Sequence, residues 1–195
     1  MMSDLSLENE FSAMSATEAA ARLIGCEIVR TIANQQLIGR IVETEAYDQG
    51  DPASHSYRGK TSRNSVMFGP AGRLYVYFTY GMHYCMNVVV GASGYGAAVL
   101  IRALEPVAGQ NIMYFNRSIS DPRQLLNGPA KLTQALAINK QFNGHNLSFS
   151  PLKLKLNPVL AHSDIDWSRR IGIKEAPEDI RLWRASLRGS PFLSK

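Results

Sequence analysis

Residues 74–90 read LYVYFTYGMHYCMNVVV, a run of aromatic and β-branched residues that Gly81 interrupts near its middle. Aromatic and β-branched side chains favour strands, and a glycine between two such runs is typical of a hairpin turn. We therefore predict two antiparallel strands that turn at Gly81. Tyr80 precedes this glycine, and a large aromatic side chain at an exposed tip buries little within its own fold, so it is placed to enter another molecule.

A further strand is predicted upstream, where residues 41–47 read IVETEAY. Successive side chains of a strand point to opposite faces, so Glu43, Glu45 and Tyr47 share one face, with the two carboxylates about 7 Å apart. The polar loop between the two stretches carries His55 near its start. An apolar core uses aromatic side chains but has no need of carboxylates beside them, so this mixture predicts a pocket.

Each pocket candidate has two interpretations from the sequence alone. Glu45 beside tyrosines would be partly desolvated and ready to accept a proton, or it pairs with an arginine on a solvated strand face, which the spacing alone favours. Tyr47, His55 and Tyr77 could stack on a nucleobase, worth about 1–3 kcal/mol per base, or pack as ordinary core residues. Asn87 lies in an apolar strand, where an unsatisfied amide costs about 1–3 kcal/mol, so it bonds either to backbone or to a ligand.

The rest of the chain contains further predicted strands and helices. Ser15 and Glu18 have the spacing of a capping box before the apolar run 16–24, and Gly25 is a stop signal. Strands are predicted over 26–32, 97–106, 152–156 and 181–187, and helices over 106–117 and 129–138. Strands followed by helices favour an α+β fold, and we predict one domain over residues 1–195.

The composition limits the class of protein. The 195 residues are 45% hydrophobic and 19% charged, which is ordinary for a globular domain. A formal charge of +5 and a pI near 9.3 favour a polyanionic partner, although many basic proteins bind no nucleic acid. The two cysteines and four histidines lack metal-ligand spacing, so we expect no metal. No apolar run approaches the roughly 20 residues of a membrane span, and the polar start is unlike a signal peptide, so we expect a cytoplasmic protein with no membrane association.

The ordered set of motifs in this chain resembles that of the alkyladenine (3-methyladenine) DNA glycosylases, bacterial branch. The matching strings run from about residue 16 to residue 194, and each would be weak on its own. They are VETEAY, HSYRG, SRNSVMFGPAG, LYVY, YGMHYCMNVV, LIRALEP, GPAKLTQALAI, RIGI and GSPFLS. In one departure, GPAK stands where the family more usually has GPGK, a small change.

The resemblance implies a fold and a reaction. The fold is a curved antiparallel β-sheet flanked by helices, with a protruding β-hairpin. The reaction is hydrolysis of the N-glycosidic bond of an alkylated or deaminated purine, which must first be flipped out of double-stranded DNA. Such enzymes are monofunctional: they use water rather than an enzyme amine, need no cofactor, act as monomers, and initiate base-excision repair by leaving an abasic site.

The resemblance also implies roles for individual residues. Glu45 would be the general base that activates the attacking water, and Arg102 would lie near that water and the target phosphate. Asn87 would form the pocket floor and clash with the exocyclic amine of guanine. The other implied residues are the pocket walls Tyr47, His55 and Tyr77, the duplex wedge Tyr80 with Met82 beside it in the minor groove, and the phosphate contact Lys131 at a helix start.

Two other functions stay open at this stage. A non-catalytic protein that binds damaged DNA would need only the basic charge and Tyr80, but it would leave Glu45 unexplained. A carboxylate glycosidase that acts on sugars would need a second catalytic carboxyl, and Glu43 has a suitable spacing. That function gives no account of the hairpin tip or of the basic charge, so it ranks last.

Overall fold

A computed structural model describes residues 7–79, 81–173 and 180–194. Across these ranges the chain forms one eight-stranded sheet in which every pairing is antiparallel. The strands are β1 Glu27–Ile32, β2 Gln35–Tyr47, β3 Leu74–Thr79, β4 His83–Val89, β5 Ala98–Ala108, β6 Leu152–Lys155, β7 Ile165–Ser168 and β8 Arg184–Leu187. Their spatial order is β3-β4-β5-β2-β1-β6, and β8 pairs with both β2 and β7.

The central strand β2 is where the sheet curls. β5 pairs along most of one edge of β2, whereas the other edge pairs first with β1 and then, from Glu43 to Glu45, with β8. The register between β2 and β5 shifts on both sides of Glu43, and such bulges bend a strand and increase its twist. The sheet is therefore a curled half-barrel, and the two carboxylates of β2 lie at its bend.

Helices pack beside this sheet. In the described ranges they are α1 Leu7–Phe11, α2 Ala16–Leu23, α3 Gln110–Arg117 and α4 Pro129–Ala135. The predicted capping box opens α2: the Ser15 hydroxyl accepts from the Glu18 N–H, and the Glu18 carboxylate accepts from the Ser15 N–H. Thr44 Oγ1 on β2 donates to the Ala20 carbonyl of α2 at 3.0 Å. The predicted α+β fold, with its curved antiparallel sheet and hairpin, is confirmed.

One helix prediction is wrong at its start. Residues 106–108 extend β5 by pairing with β2 at Gly39 and Ile38, and α3 begins only after Gly109. Gly109 has a φ of +77°, and a Cβ there would lie 2.7 Å from the Gln36 carbonyl oxygen. Strand pairing outweighs the local helix preference here, because the chain can leave the sheet only at a turn that glycine alone fits.

Two apolar clusters hold the site in place. The larger lies between the sheet and the helices and includes residues of α2, α4 and most strands. The smaller consists of Met67, Phe68, Tyr75, Val89 and Ala98, and it joins the polar loop to the β3–β4 hairpin.

The predicted helix 129–138 stops at Ala135, since Ala137 takes a positive φ of +51°. Of the helices in the described ranges, none is long and apolar enough to cross a membrane.

Candidate active site

Glu45 is a buried carboxylate held by three donors. Its Oε2 accepts hydrogen bonds from the Tyr47 hydroxyl at 2.8 Å and from Arg102 Nη1 at 3.2 Å. Its Oε1 accepts one from the Ile171 N–H at 2.7 Å. The Glu45 side chain is 0% exposed. Glu45 therefore pairs with an arginine, as one interpretation of the sequence expected, but in a buried site rather than on a solvated strand face.

Arg102 joins the two carboxylates of β2. The register between β2 and β5 steps over Arg102, which is therefore the extra residue of a bulge in β5. Bulges re-aim side chains and are common next to active sites. Here the guanidinium reaches Glu43 Oε1 through Nε at 3.3 Å as well as Glu45 through Nη1. The bulge thus explains how an arginine of β5 comes to lie between two carboxylates of β2.

Glu43 is enclosed more completely than Glu45. Its Oε1 accepts from Arg102 Nε, from Arg184 Nη1 at 3.0 Å and from Ser194 Oγ at 2.8 Å, and its Oε2 accepts from the Ser194 N–H at 2.6 Å. Three of these bonds converge on Oε1, and the fourth reaches Oε2. Two buried carboxylates face two guanidinium groups, so the charges of this cluster balance, and Glu43 accepts one hydrogen bond more than Glu45.

A cavity of about 670 Å³ opens beside Tyr47. Its lining residues are Tyr47, Pro52, Ala53, Ser54, His55, Tyr57, Arg58, Arg63, Met67, Tyr75, Tyr77, Asn87, Gly172 and Ile173. All four residues predicted for a base pocket, Tyr47, His55, Tyr77 and Asn87, are among them. Glu45 lies behind the Tyr47 hydroxyl and below the segment that continues from Ile171 into the lining. The carboxylate cluster and the aromatic cavity are therefore adjacent parts of one site.

The aromatic rings of the cavity are held in a fixed arrangement. The rings of His55 and Tyr77 meet edge to face, with centroids 4.6 Å apart at 76°, and Tyr75 lies 5.6 Å from Tyr77. The Tyr75 hydroxyl is 3.0 Å from His55 Nδ1. Burial raises the pKa of Tyr75 to about 12 and raises the pKa values of Tyr47 and Tyr77 as well. The three phenols therefore stay neutral at physiological pH, and the Tyr47 hydroxyl donates to Glu45.

Asn87 combines the two interpretations that the sequence left open. It lies opposite Tyr75 on the neighbouring strand, and its Nδ2 donates to the Tyr75 carbonyl at 3.1 Å. The residue is buried, yet it also lines the cavity. A backbone bond thus fixes the amide of Asn87 while leaving it in contact with the space that a ligand would fill.

The residues predicted to contact the duplex lie on the hairpin and on α4. Met82 is in the turn after β3 and is 68% exposed, as expected for a residue at the hairpin tip. Tyr80 lies outside the described residues, so its predicted wedge role stays a prediction. Lys131 is in the first turn of α4 and is partly buried, with Nζ donating to Asn127 Oδ1 at 2.8 Å. Met82 and α4 border a smaller cavity of about 260 Å³.

Several residues of the site were not predicted from the sequence. Tyr75 could have been found, because strand alternation places it on the same face as Tyr77. Arg170 lies in the RIGI motif, whose string was noted without a role for its first residue. Asp51 gave no signal of burial, since an aspartate before a proline in a polar loop is typical of an exposed turn. Glu43 also has a partner, Ser194, that no local pattern connects to β2.

The site also bears on metal binding. Within residues 7–79, 81–173 and 180–194, no three His, Cys, Asp or Glu side chains come together as a metal site. The polar side chains among the described lining residues are phenols, a serine, a histidine, an amide and two guanidinium groups. These groups suit hydrogen bonding and stacking on a planar ligand.

Comparison with known proteins places this architecture in a family. The chain matches the methylpurine-DNA glycosylase family over residues 10–191. A protein of Carboxydothermus hydrogenoformans is 51% identical over 190 residues, which are 97% of this chain and 98% of that protein. Proteins of Methanoculleus marisnigri and Francisella tularensis are 46% and 48% identical, covering 98% and 93% of this chain and 100% and 95% of their own. All three carry the provisional name 3-methyladenine DNA glycosylase.

The chain therefore belongs to the methylpurine-DNA glycosylase family. The resemblance seen in the ordered motifs is confirmed over nearly the whole chain. Membership makes the protein a DNA glycosylase, a hydrolase of DNA repair whose substrate is DNA.

Proposed function

We propose that the protein is a monofunctional glycosylase that flips alkylated or deaminated purines out of double-stranded DNA and hydrolyses the N-glycosidic bond with a water activated by Glu45. The observation that carries this proposal is a buried carboxylate, held by three donors, at the edge of an aromatic cavity. The protein acts as a monomer and begins base-excision repair by leaving an abasic site.

Glu45 has the geometry of a general base. A carboxylate offers about four acceptor sites, and Tyr47, Arg102 and the Ile171 N–H use three of them. We assign the fourth, on Oε1, to the attacking water. The carboxylate would take the proton of that water as it attacks the anomeric carbon. General-base catalysis of this kind contributes about 10²- to 10⁴-fold in rate.

The same carboxylate also stabilises the transition state electrostatically. Loss of the base leaves positive charge on the deoxyribose, and a fixed negative charge in a water-poor site is worth more there than in water. Arg102 holds the Glu45 carboxylate in place. We propose that its positive charge also attracts the phosphate of the target nucleotide.

The cavity fits a flipped purine. Its volume lies within the range of small-molecule sites, about 300–1,000 Å³. Tyr47, His55 and Tyr77 offer the ring faces and edges for stacking, and electron-rich rings favour a base made cationic by alkylation. Asn87, fixed by its bond to the backbone, would clash with the exocyclic amine of guanine and so exclude the normal base.

The hairpin tip would keep the duplex open. Met82 is exposed there, and we assign Tyr80 the wedge role that fills the space left by the flipped nucleotide, which lowers the cost of unstacking. Lys131 and the formal charge of +5 would contribute phosphate contacts. Unlike the catalytic assignments, these contacts would serve equally well in a protein that binds damage without cutting.

The test compares the native protein with Glu45→Gln on a labelled duplex that carries one ethenoadenine or hypoxanthine, and on methylated genomic DNA. We expect base release by the native protein, a loss of about 10²- to 10⁴-fold in Glu45→Gln, and retained binding to the lesion duplex. Glu27→Gln is the matched control, because Glu27 lies on the distant strand β1 and makes an ion pair with Lys155 of β6. Binding without any base release would favour the non-catalytic protein, and full activity of Glu45→Gln would remove Glu45 as the base.

A further inference from the structure

A buried aspartate joins three segments of the chain behind the cavity. Asp51 Oδ1 accepts from Arg170 Nη2 at 3.1 Å, from Arg181 Nη2 at 2.7 Å and from the Ala53 N–H at 3.0 Å, and Oδ2 accepts from Arg170 Nη1. The side chains of Asp51 and Arg170 are 0% and 1% exposed. This pair, Asp51 with Arg170, is referred to below as the buried clamp.

The clamp contacts the cavity wall through Arg170. The guanidinium carbon lies 4.6 Å from the centre of the Tyr47 ring and 5.2 Å from the Trp183 ring. Nη1 of the same group donates to the carbonyl of Ala46, the residue before Tyr47, at 2.9 Å. One planar guanidinium therefore holds both the ring and the backbone at the end of β2, a combination of stacking and forked hydrogen bonds that lysine cannot reproduce.

The clamp is also connected to the loop that carries His55 and to the N–H donor of Glu45. Asp51 accepts hydrogen bonds from the backbone of the turn that leads to His55. On the other side, Ile171 follows Arg170 directly in the chain, and its N–H is the donor to Glu45 Oε1. A single ion pair thus connects the strand that carries Tyr47, the loop that carries His55 and the segment that holds Glu45.

We propose that the buried clamp of Asp51 and Arg170 positions the groups of the reaction, keeping Tyr47, His55 and the N–H donor to Glu45 in one arrangement. This inference rests on the function proposed above. A buried ion pair is weak support for a purely stabilising role, because apolar residues of similar volume often pack as well or better. Positioning is a different requirement, since a misplacement of about 1 Å can slow a reaction by about 100-fold.

The test uses the full-length protein with Arg170→Lys, Asp51→Asn and the double variant. Each is assayed for the single-turnover rate of base release from an ethenoadenine duplex. Binding of the same duplex is measured with each change placed in a Glu45→Gln background, which prevents turnover. Asp166→Asn is the matched control, because Asp166 makes an exposed ion pair with Arg188 at 2.8 Å. Thermal melting reports folding, and Arg170→Lys keeps both buried charges, so it decides the question if Asp51→Asn does not fold.

We expect release to slow by about 10-fold in Arg170→Lys and by about 100-fold in Asp51→Asn, with duplex binding within about threefold of the reference in each case. Because both changes disrupt the same ion pair, base release by the double variant should be no more than about threefold slower than by the slower single variant. Asp166→Asn should match the native rate.

Four outcomes would overturn the inference. The first is a native rate of base release in both single variants, and the second is a native rate in Arg170→Lys even if Asp51→Asn is slow. The third is a loss of duplex binding as large as the loss of rate. The fourth is a double variant whose loss of rate is the product of the two single losses, as for independent sites. Each of these leaves the proposed function intact, since the native protein still releases base. Absence of release by the native protein itself would overturn the proposed function, and the positioning role with it.

Discussion

The variant Glu43→Gln tests whether Glu43 has a structural role, in contrast to the catalytic role proposed for Glu45. Glu43 accepts four hydrogen bonds and is 0% exposed. A glutamine can keep the bonds on the side of Oε1, but its amide nitrogen then faces the Ser194 N–H, donor against donor, across a distance that is 2.6 Å in the native pair. Arg102 and Arg184 would also share one carboxylate instead of two. We therefore expect Glu43→Gln to destabilise the fold.

The size of the effect follows from the burial of the cluster. Removing one partner of a buried ion pair costs about 3–5 kcal/mol. In a chain of this length, 1 kcal/mol shifts the melting temperature by about 2–4 °C, so Tm should fall by about 6–20 °C. Below the new Tm, release of an ethenoadenine base should slow by less than about tenfold, far less than the loss of a general base.

The assay is thermal unfolding by circular dichroism, paired with single-turnover base release at a temperature where both proteins are folded. Glu105→Gln is the matched control, because the Arg40–Glu105 pair spans 3.2 Å with side chains 43% and 31% exposed, and such pairs contribute at most about 1 kcal/mol. An unchanged Tm together with a rate loss of about 100-fold or more would refute the reasoning. It would make Glu43 a reacting group and revive the two-carboxylate glycosidase.

Two further predictions concern the cavity and the hairpin. The buried Tyr75 has a pKa raised to about 12 from 10, so the stability it contributes is complete below about pH 10 and lost as the pH rises towards 12; Tm should fall over this interval, less steeply in Tyr75→Phe, and equal slopes would contradict the assignment. Met82 is 68% exposed, so Met82→Ala should leave Tm unchanged but weaken binding to a lesion duplex by about tenfold, or about 1.4 kcal/mol. Phe149→Ala, at a position before β6 that is 62% exposed, is the control, and equal binding by all three proteins would remove Met82 from the interface.

Short-range patterns in the sequence were enough to predict the frame of the site. Strand alternation put Glu43, Glu45 and Tyr47 on one face, and aromatic and β-branched residues around Gly81 predicted the β3–β4 hairpin. Local patterns succeed here because side-chain direction in a strand repeats every two residues. They failed where pairing competed with local preference, as at residues 106–108, which join β5 rather than a helix.

The ordered set of motifs identified the family, which the periodicity of apolar residues could not have revealed. Each string is short and common, but their joint order over the chain is specific. The family in turn supplied the roles assigned to Glu45, Arg102 and the cavity residues, and these roles stay proposals until the variants are measured.

The sequence by itself determined most of the strands, although not β7, together with the hairpin, the shared face of the two carboxylates and the family. Only the tertiary structure decided what holds Glu45: Arg102 lies 57 residues away, and the Ile171 N–H lies 126 residues away. It also decided that Glu43 is enclosed by Ser194, 151 residues along the chain, and that Asp51 and Arg170, 119 residues apart, form one buried pair. The physical reason is that these contacts depend on a bulge, a curled sheet and chain segments that meet only after folding, none of which has a local signal in the sequence.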